Sequence, residues 1–332
     1  MKHASLWLLP LIASIILACG PEGSESTAEQ PNQAPESASP ALPPGAQALS
    51  LMGEPLFPPE LSEEARARLE GNLENALAEL QADPEGADAL IWAGRRHAYL
   101  GDYRRAIEIY SQGIDLHPED ARFYRHRGHR YISVREFDNA IADFRRAAEL
   151  VMGTEDEVEP DGAPNALGIP TSTLQFNIWY HFGLAHYLKG EFQEAIEKYE
   201  ACMDVSAHPD SKVATAHWWY MSLRRTGQEE AARELIQGMD LDALEPELIE
   251  STAYFRLLRL YATAGDPDTE AARDPQDMSA AALGYGYGAW KLYNGDEAGA
   301  REIFENLVAA RDQWASFGFI AAEADLARLG RG

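Results

Sequence analysis

Two kinds of residue are scarce in this chain of 332 residues, and each scarcity excludes a class of protein. The only cysteines are Cys19 and Cys202, so the chain has no disulfide framework, and at most these two could pair. Basic residues are also few: 28 Lys and Arg face 54 Asp and Glu, which gives a formal charge of −26. This balance argues against nucleic-acid binding, which needs a broad basic face. Strand-like alternation is missing too, so a β fold is not expected.

The first residues lack the apolar length of a transmembrane helix. Their apolar run, residues 6–17, is shorter than the roughly 20 residues that span a bilayer, and a basic start with a short apolar core is typical of a signal peptide. The run ends in the letters ILAC, which resembles the lipobox of bacterial lipoproteins. The resemblance implies a signal peptide over 1–18 and lipidation of Cys19. It also implies a place in the bacterial envelope, on the outer membrane facing the periplasm. A plain signal peptide with a chance cysteine is the alternative.

Residues 19–60 contain no Lys or Arg and many prolines. No Lys or Arg occurs between Lys2 and Arg66, and nine of the 19 prolines lie in this stretch. Such a composition cannot bury enough apolar surface to offset the loss of chain entropy. We therefore predict a disordered tether over 19–60.

A repeat of 34 residues begins further on. The segments 87–118 and 121–150 align with identical or similar residues 34 positions apart, namely Gly94 and Gly128, Tyr103 and Phe137, Ala106 and Ala140, and Tyr110 and Phe144. Each segment has two helical stretches with apolar residues at i, i+3, i+4 and i+7. This pattern of small and aromatic residues resembles the tetratricopeptide repeat.

The pattern recurs along the rest of the chain. It returns in 176–202, more loosely in 213–236, as a first helix in 248–266, and again in 280–308; single helices are predicted at 61–82 and 315–329. The resemblance implies an all-α fold over 61–330: a right-handed α-solenoid of five to six helix pairs with a capping C-terminal helix. Cys202 occupies a position for a small buried residue, which predicts a packed free thiol.

In tetratricopeptide proteins the first helix of each pair lines a concave groove. Carrying those positions over implies a groove with one basic and one aromatic end, formed by Arg95, Tyr99, Arg122, Arg125, His129, Asn177, Tyr180 and Tyr187. Arg suits bidentate contacts to carboxylates, so an acidic peptide segment is the predicted ligand. The alternative is that these basic side chains only offset nearby acids.

An insertion interrupts the repeat at about 151–172. It is 21 residues longer than the repeat allows, and its first half is acidic. Loops of this length are usually functional or disordered. We hypothesise that the acidic arm, residues 154–162, folds toward Arg125 and His129 and competes with the ligand.

No catalytic constellation is recognisable, so the chain is predicted not to be an enzyme and to need no cofactor. Three local patterns suggest ligand sites: paired histidines for zinc, acids over 266–277 for calcium, and glycines over 284–290 for a nucleotide. Each lacks essential members of its motif, and no metal is predicted. The function predicted is a membrane-anchored scaffold that binds a protein or peptide, possibly an acidic one. The alternatives are a structural subunit of an envelope assembly and a lipoprotein that binds a small ligand.

Overall fold

The computed structural model describes residues 42–263 and 278–330, without the side chains of 278–280. The predicted signal peptide, the lipidation site at Cys19 and the first part of the tether lie outside these residues. Residues 266–277, the acidic segment compared above with a calcium site, also lie outside them, as do the last residues of the helix predicted over 248–266.

The described chain is built from α-helices, most of them joined by short turns, with one long loop between Val151 and Leu174. The helices are α1 (Glu63–Ala82), α2 (Ala87–Tyr99), α3 (Tyr103–Leu116), α4 (Ala121–Ser133), α5 (Phe137–Val151), α6 (Leu174–Lys189), α7 (Phe192–Val205), α8 (Pro209–Arg225), α9 (Glu229–Gln237), α10 (Leu241–Leu244), α11 (Thr252–Thr263), α12 (Met278–Tyr293), α13 (Glu297–Ala309) and α14 (Phe317–Leu329). Two strands, β1 (Ala48–Leu49) and β2 (Pro55–Leu56), pair antiparallel ahead of them. In these ranges no helix is both long and apolar enough to cross a lipid bilayer.

The predicted all-α helical repeat is confirmed. Consecutive helices pack as antiparallel pairs, α2 with α3, α4 with α5, α6 with α7, α8 with α9, and α12 with α13. The two helices of a pair approach closely where the repeat has its small residue: a Cβ on Gly94 would lie 2.4 Å from the ring of Tyr110. Gly128 and Phe144 are juxtaposed in the same way in the next pair, at 2.9 Å. Only glycine permits this approach, because any side chain would displace the ring.

A left-handed turn residue joins the two helices of each pair. In four pairs this residue is a glycine with positive φ: Gly101, Gly190, Gly227 and Gly295. In the second pair it is Arg135, with φ of 67°. A residue with a Cβ is strained in this conformation by about 1–2 kcal/mol, so its side chain must contribute something that a glycine cannot.

Residues 42–60 differ from the predicted tether, because they are ordered. Ala48 and Leu56 are fully buried, and the backbone carbonyl of Phe57 accepts a 2.6 Å hydrogen bond from the indole Nε1 of Trp314. Pro55 begins an edge strand, a position that proline tolerates. The few apolar residues of this stretch are enough to order it, because the repeats already provide a surface on which they pack.

Helix α14 lies against the first helices of the repeats. Its residues contact α4 and α6 through Phe317, α8 through Asp325, and α12 through Gly318 and Asp325. The capping helix predicted from the sequence thus covers the concave face of the array instead of only its last pair. Because it is surrounded, residues 318–326 are all buried.

Candidate partner-binding site

The buried guanidinium of Arg125 is the centre of the candidate site. Asp120 caps the N-terminus of α4 by accepting from the backbone N–H of Arg122, and the helical period then turns Arg125 toward the concave face. Its Nε lies 2.8 Å from a carboxylate oxygen of Glu159, and both side chains are 9% exposed. The same oxygen accepts a 3.2 Å hydrogen bond from the amide of Asn177 on α6.

Glu159 belongs to the insertion loop, residues 152–173, which connects α5 and α6. Its backbone is held by two arginines of α2. Arg95 Nη1 donates to the carbonyl of Pro160 at 2.7 Å, and Arg96 Nη1 donates to the carbonyl of Gly162 at 3.0 Å. Both guanidinium groups also lie against the Trp92 ring, 4.5 and 4.8 Å from its centroid. The loop is therefore bound by cationic side chains through one carboxylate and two carbonyls.

We call Arg95, Arg96 and Arg125, with Asn177, the basic end of the concave face. Between the basic end and the insertion loop remains a cavity of about 300 Å³, also lined by Arg130 and by the loop prolines. Its lining contains three arginines, Arg95, Arg125 and Arg130, and three acids, Glu159, Asp161 and Glu250. Arg125 and Asn177, the groups that bind the Glu159 carboxylate, are among the lining residues, so a segment that replaced Glu159 would meet the same groups.

The histidines of this region are packed, neutral rings that add no charge to the site. The rings of His129 and His181 lie 4.4 Å apart. Burial, with the charges of nearby arginines, holds the pKa of His126, His129 and His181 well below the usual range. The three rings are therefore neutral at pH 7. His129 was predicted to attract an anion, but the charge of this site comes from its arginines.

Other predicted groove residues have different surroundings. Arg122 forms ion pairs with Asp120 and, at 2.7 Å, with Asp88, so its charge is offset within the chain as the alternative proposed. Tyr99 accepts a 3.3 Å hydrogen bond from Arg95 and borders the cavity.

The aromatic end of the predicted groove is closed. Tyr180 is buried, and its ring centroid is 6.4 Å from that of Phe317 at the start of α14. Tyr187 is fully buried, and its hydroxyl forms a 2.7 Å hydrogen bond with that of Tyr285. These two tyrosines are therefore core residues beneath α14 in this structure.

Two buried acids of α14 were missed by sequence reasoning. Glu323 pairs with Arg135 at 2.8 Å, and Asp325 pairs with Arg225 at 2.8 Å. A signal for the first pair does exist: Arg135 occupies a position where four other repeats have glycine. Such a substitution at a strained turn indicates that the side chain has a specific partner.

Comparison with known proteins agrees with this architecture. Residues 176–208, which contain α6 and α7, match the family model described as tetratricopeptide repeat. The chain contains a tetratricopeptide repeat. The same packing of a glycine against an aromatic ring recurs in the pairs α2 with α3, α4 with α5, and α12 with α13. Arrays of such repeats are known for extended surfaces that bind other proteins.

Similar proteins come from several organisms. The chain is 27% identical to "BBSome complex member BBS4" of Bos taurus over 160 residues, which are 47% of this chain and 27% of that protein. It is 24% identical to "Small glutamine-rich tetratricopeptide repeat-containing protein 2" of Saccharomyces cerevisiae, over 53% of this chain and 42% of that protein. The chain thus spans less than half the length of these curated relatives.

Solved structures give weaker likenesses. A tetratricopeptide repeat protein from Parabacteroides merdae is 13% identical with a TM-score of 0.44, covering 76% of this chain and 93% of its own. YrrB, described as "a TPR protein with an unusual peptide-binding site", is 15% identical with a TM-score of 0.40, covering 71% of this chain and 92% of its own.

Proposed function

We propose that this protein is a lipid-anchored, non-enzymatic scaffold of the bacterial envelope that binds an acidic segment of a partner protein at its basic end. One observation carries the binding half of the proposal: a carboxylate of the chain itself, that of Glu159, enters the basic end and lies between Arg125 and Asn177. A surface that holds one acidic segment in this way has the chemistry to hold another.

Physical reasons favour an anion over a neutral ligand here. Burial lowers the pKa of Arg125, while the negative charge of Glu159 opposes this effect. A buried guanidinium without an anion would be costly, since an uncompensated buried charge destabilises a protein by about 3–5 kcal/mol. Any partner that displaces the insertion loop must therefore bring its own carboxylate.

The anchor half of the proposal rests on the resemblance to the lipobox. Acylation of Cys19 would keep the scaffold at the membrane, because each buried methylene contributes about 0.8 kcal/mol. Mass spectrometry of the N-terminal peptide tests it directly. An acylated Cys19 as the first residue supports the anchor, and an unmodified cysteine or a cut elsewhere contradicts it.

Crosslinking in cells, followed by mass spectrometry, tests the binding half. We would compare the unmodified protein with Arg95→Glu/Arg96→Glu, which reverses two charges of the basic end. The matched control is Arg105→Glu/Arg145→Glu, which reverses two exposed charges on α3 and α5. Loss of a partner from the first variant alone, with helicity preserved, supports the proposal. A partner list unchanged in both variants refutes binding at the basic end and favours the outer faces of the repeats.

A further inference from the structure

Three of the four consecutive residues from Glu159 to Gly162 in the insertion loop contact the basic end. The first supplies a carboxylate to Arg125 and Asn177, the second a carbonyl to Arg95, and the fourth a carbonyl to Arg96. These contacts use one side chain and otherwise only the backbone. Any chain with a glutamate at the first position can form the same contacts, provided that its fourth position also fits.

A side chain at the fourth position would meet Tyr99 and Arg95. A Cβ added to Gly162 would lie 2.1 Å from the hydroxyl oxygen of Tyr99 and 2.8 Å from Nη2 of Arg95. Both atoms are themselves constrained, because the Arg95 Nη2 donates a hydrogen bond to the Tyr99 hydroxyl. A larger residue must therefore either displace Tyr99 and break this contact or leave the position. The basic end therefore selects for glutamate at the first position and for glycine three residues later.

The contact between Glu159 and Arg125 is incomplete. Their 2.8 Å approach is an ion pair, but the Nε–H of Arg125 does not point along a hydrogen bond to any acceptor in the described part of the chain. A buried donor without an acceptor costs about 1–3 kcal/mol. A carboxylate placed slightly differently would satisfy this donor, so a second segment can bind better than the loop's own.

The insertion loop has separate attachments that do not involve the basic end. Glu250, just before α11, accepts hydrogen bonds from Asn165 at 3.1 Å and from Thr171 at 2.6 Å. The two ends of the loop are also joined to each other, by an antiparallel bridge between Val158 and Thr173 and by a 2.8 Å hydrogen bond from the backbone N–H of Leu174 to the carbonyl of Glu157. Residues 159–162 can therefore leave the basic end while the rest of the insertion loop stays attached.

We propose that residues 159–162 are a built-in ligand, and that the partner presents an extended segment with the pattern Glu-x-x-Gly, which displaces them. This inference rests on the proposed function and adds the identity of the recognised segment. It also makes binding self-limiting, because a tethered segment competes at an effective concentration of about 1 mM.

The test uses the full chain in detergent and a labelled peptide with the sequence of residues 157–164, EVEPDGAP. In the variant Gly162→Val the new side chain clashes with Tyr99 and expels the loop segment, leaving the basic end intact. The control Ala166→Val adds bulk at an exposed position of the same loop. We expect the peptide to bind Gly162→Val at least tenfold more tightly than it binds the wild type or the control. Thermal unfolding of each variant verifies that it is folded.

Two altered peptides test the pattern on the expelled-loop variant. One has Gln in place of the glutamate equivalent to Glu159, and the other has Ala in place of the glycine equivalent to Gly162. Each should bind at least tenfold more weakly than the parent peptide. Equal binding of the alanine peptide would overturn the Glu-x-x-Gly pattern while leaving recognition of acidic segments in place.

Two further outcomes separate this inference from the proposed function. If the wild type binds the parent peptide as tightly as Gly162→Val does, the loop is not a competing ligand and the inference is wrong. If folded Gly162→Val binds none of the peptides, recognition of acidic segments at the basic end also fails. A second release variant, Glu159→Gln, guards against a defect peculiar to valine and should show the same gain in affinity.

Discussion

Replacing Arg135 with glycine should destabilise the protein, although glycine is the residue that four other repeats use at this turn. The side chain of Arg135 is 4% exposed, and its partner Glu323 is fully buried. Arg135 also donates to the carbonyls of Ser133 and Trp314, at 2.6 and 2.8 Å. Glycine removes all of these contacts and leaves the carboxylate of Glu323 without its counter-charge.

The two effects have opposite signs and different sizes. Glycine relieves about 1–2 kcal/mol of strain at the positive φ. The unpaired buried carboxylate costs about 3–5 kcal/mol. We therefore expect the free energy of unfolding to fall by about 1–4 kcal/mol. Burial already raises the pKa of Glu323, with Arg135 opposing the rise. Without Arg135 this carboxyl should titrate still higher, so the loss of stability should shrink as the pH falls toward 5.

Urea unfolding, followed by circular dichroism and by tryptophan fluorescence, measures the change. The decisive comparison is the double variant Arg135→Gly/Glu323→Leu, which removes the orphaned charge and should regain most of the lost stability. A single variant Arg135→Gly as stable as the wild type, or more stable, would refute the reasoning. It would mean that the ion pair contributes less than the turn strain it requires.

Three other predictions follow from the packing and from the buried groups. Gly94→Ala should lower the free energy of unfolding by about 1–3 kcal/mol, because its Cβ would lie 2.4 Å from the Tyr110 ring. The control Gly71→Ala, in an open part of α1, should instead raise the free energy of unfolding by about 0.5–1 kcal/mol. Equal effects of the two substitutions in urea unfolding would contradict the packing argument. Burial lowers the pKa of His217 to about 3, below its unfolded value of about 6.5, so its neutral form is stabilising above pH 6.5 and stability falls with acidification. Between pH 7 and pH 5 this loss should be about 2 kcal/mol, and His217→Phe should reduce the pH dependence of urea unfolding by that amount, while His126, His129 and His181, whose pKa values burial also lowers, keep their own share. A curve parallel to that of the wild type would show that His217 does not contribute. Burial raises the pKa of Cys202 to about 12, so this thiol should not react with iodoacetamide at pH 8 in the native protein, whereas it should react in urea. Mass spectrometry of the peptide that contains Cys202 distinguishes the two results. Rapid alkylation of the native protein would contradict the burial of this thiol.

Local pattern accounts for most of what the sequence predicts correctly. The spacing of Gly94 and Tyr110 reports a contact between neighbouring helices, and such contacts recur at a fixed interval that is visible in the chain. The predicted burial of Cys202 is confirmed for the same reason, since the repeat assigns it a packed position. The acidic arm was expected to fold toward Arg125, and the contact of Glu159 agrees with that hypothesis.

Contacts between distant parts of the chain were not predictable in this way. Helix α14 is apolar on most of its surface, which indicates burial but not the surface it covers. In the sequence, Glu323 and Asp325 look like ordinary surface charges, because no local pattern shows that α14 is surrounded by other helices. The hydrogen bonds from Arg95 and Arg96 go to backbone carbonyls, which every residue has, so no residue type in the loop signals them.

The position of α14 also affects how such a chain can be made and how it can change. Arg135 bonds to residues 179 and 188 positions further along, so the second repeat cannot complete its contacts until the end of the chain has been synthesised. Long-range closure of this kind slows folding and makes it more cooperative than in an open array of repeats. Open arrays can also gain or lose a unit by duplication or deletion, because each unit contacts only its neighbours. Here an added unit would shift Glu323 away from Arg135, so the number of repeats is fixed by a single helix at the far end.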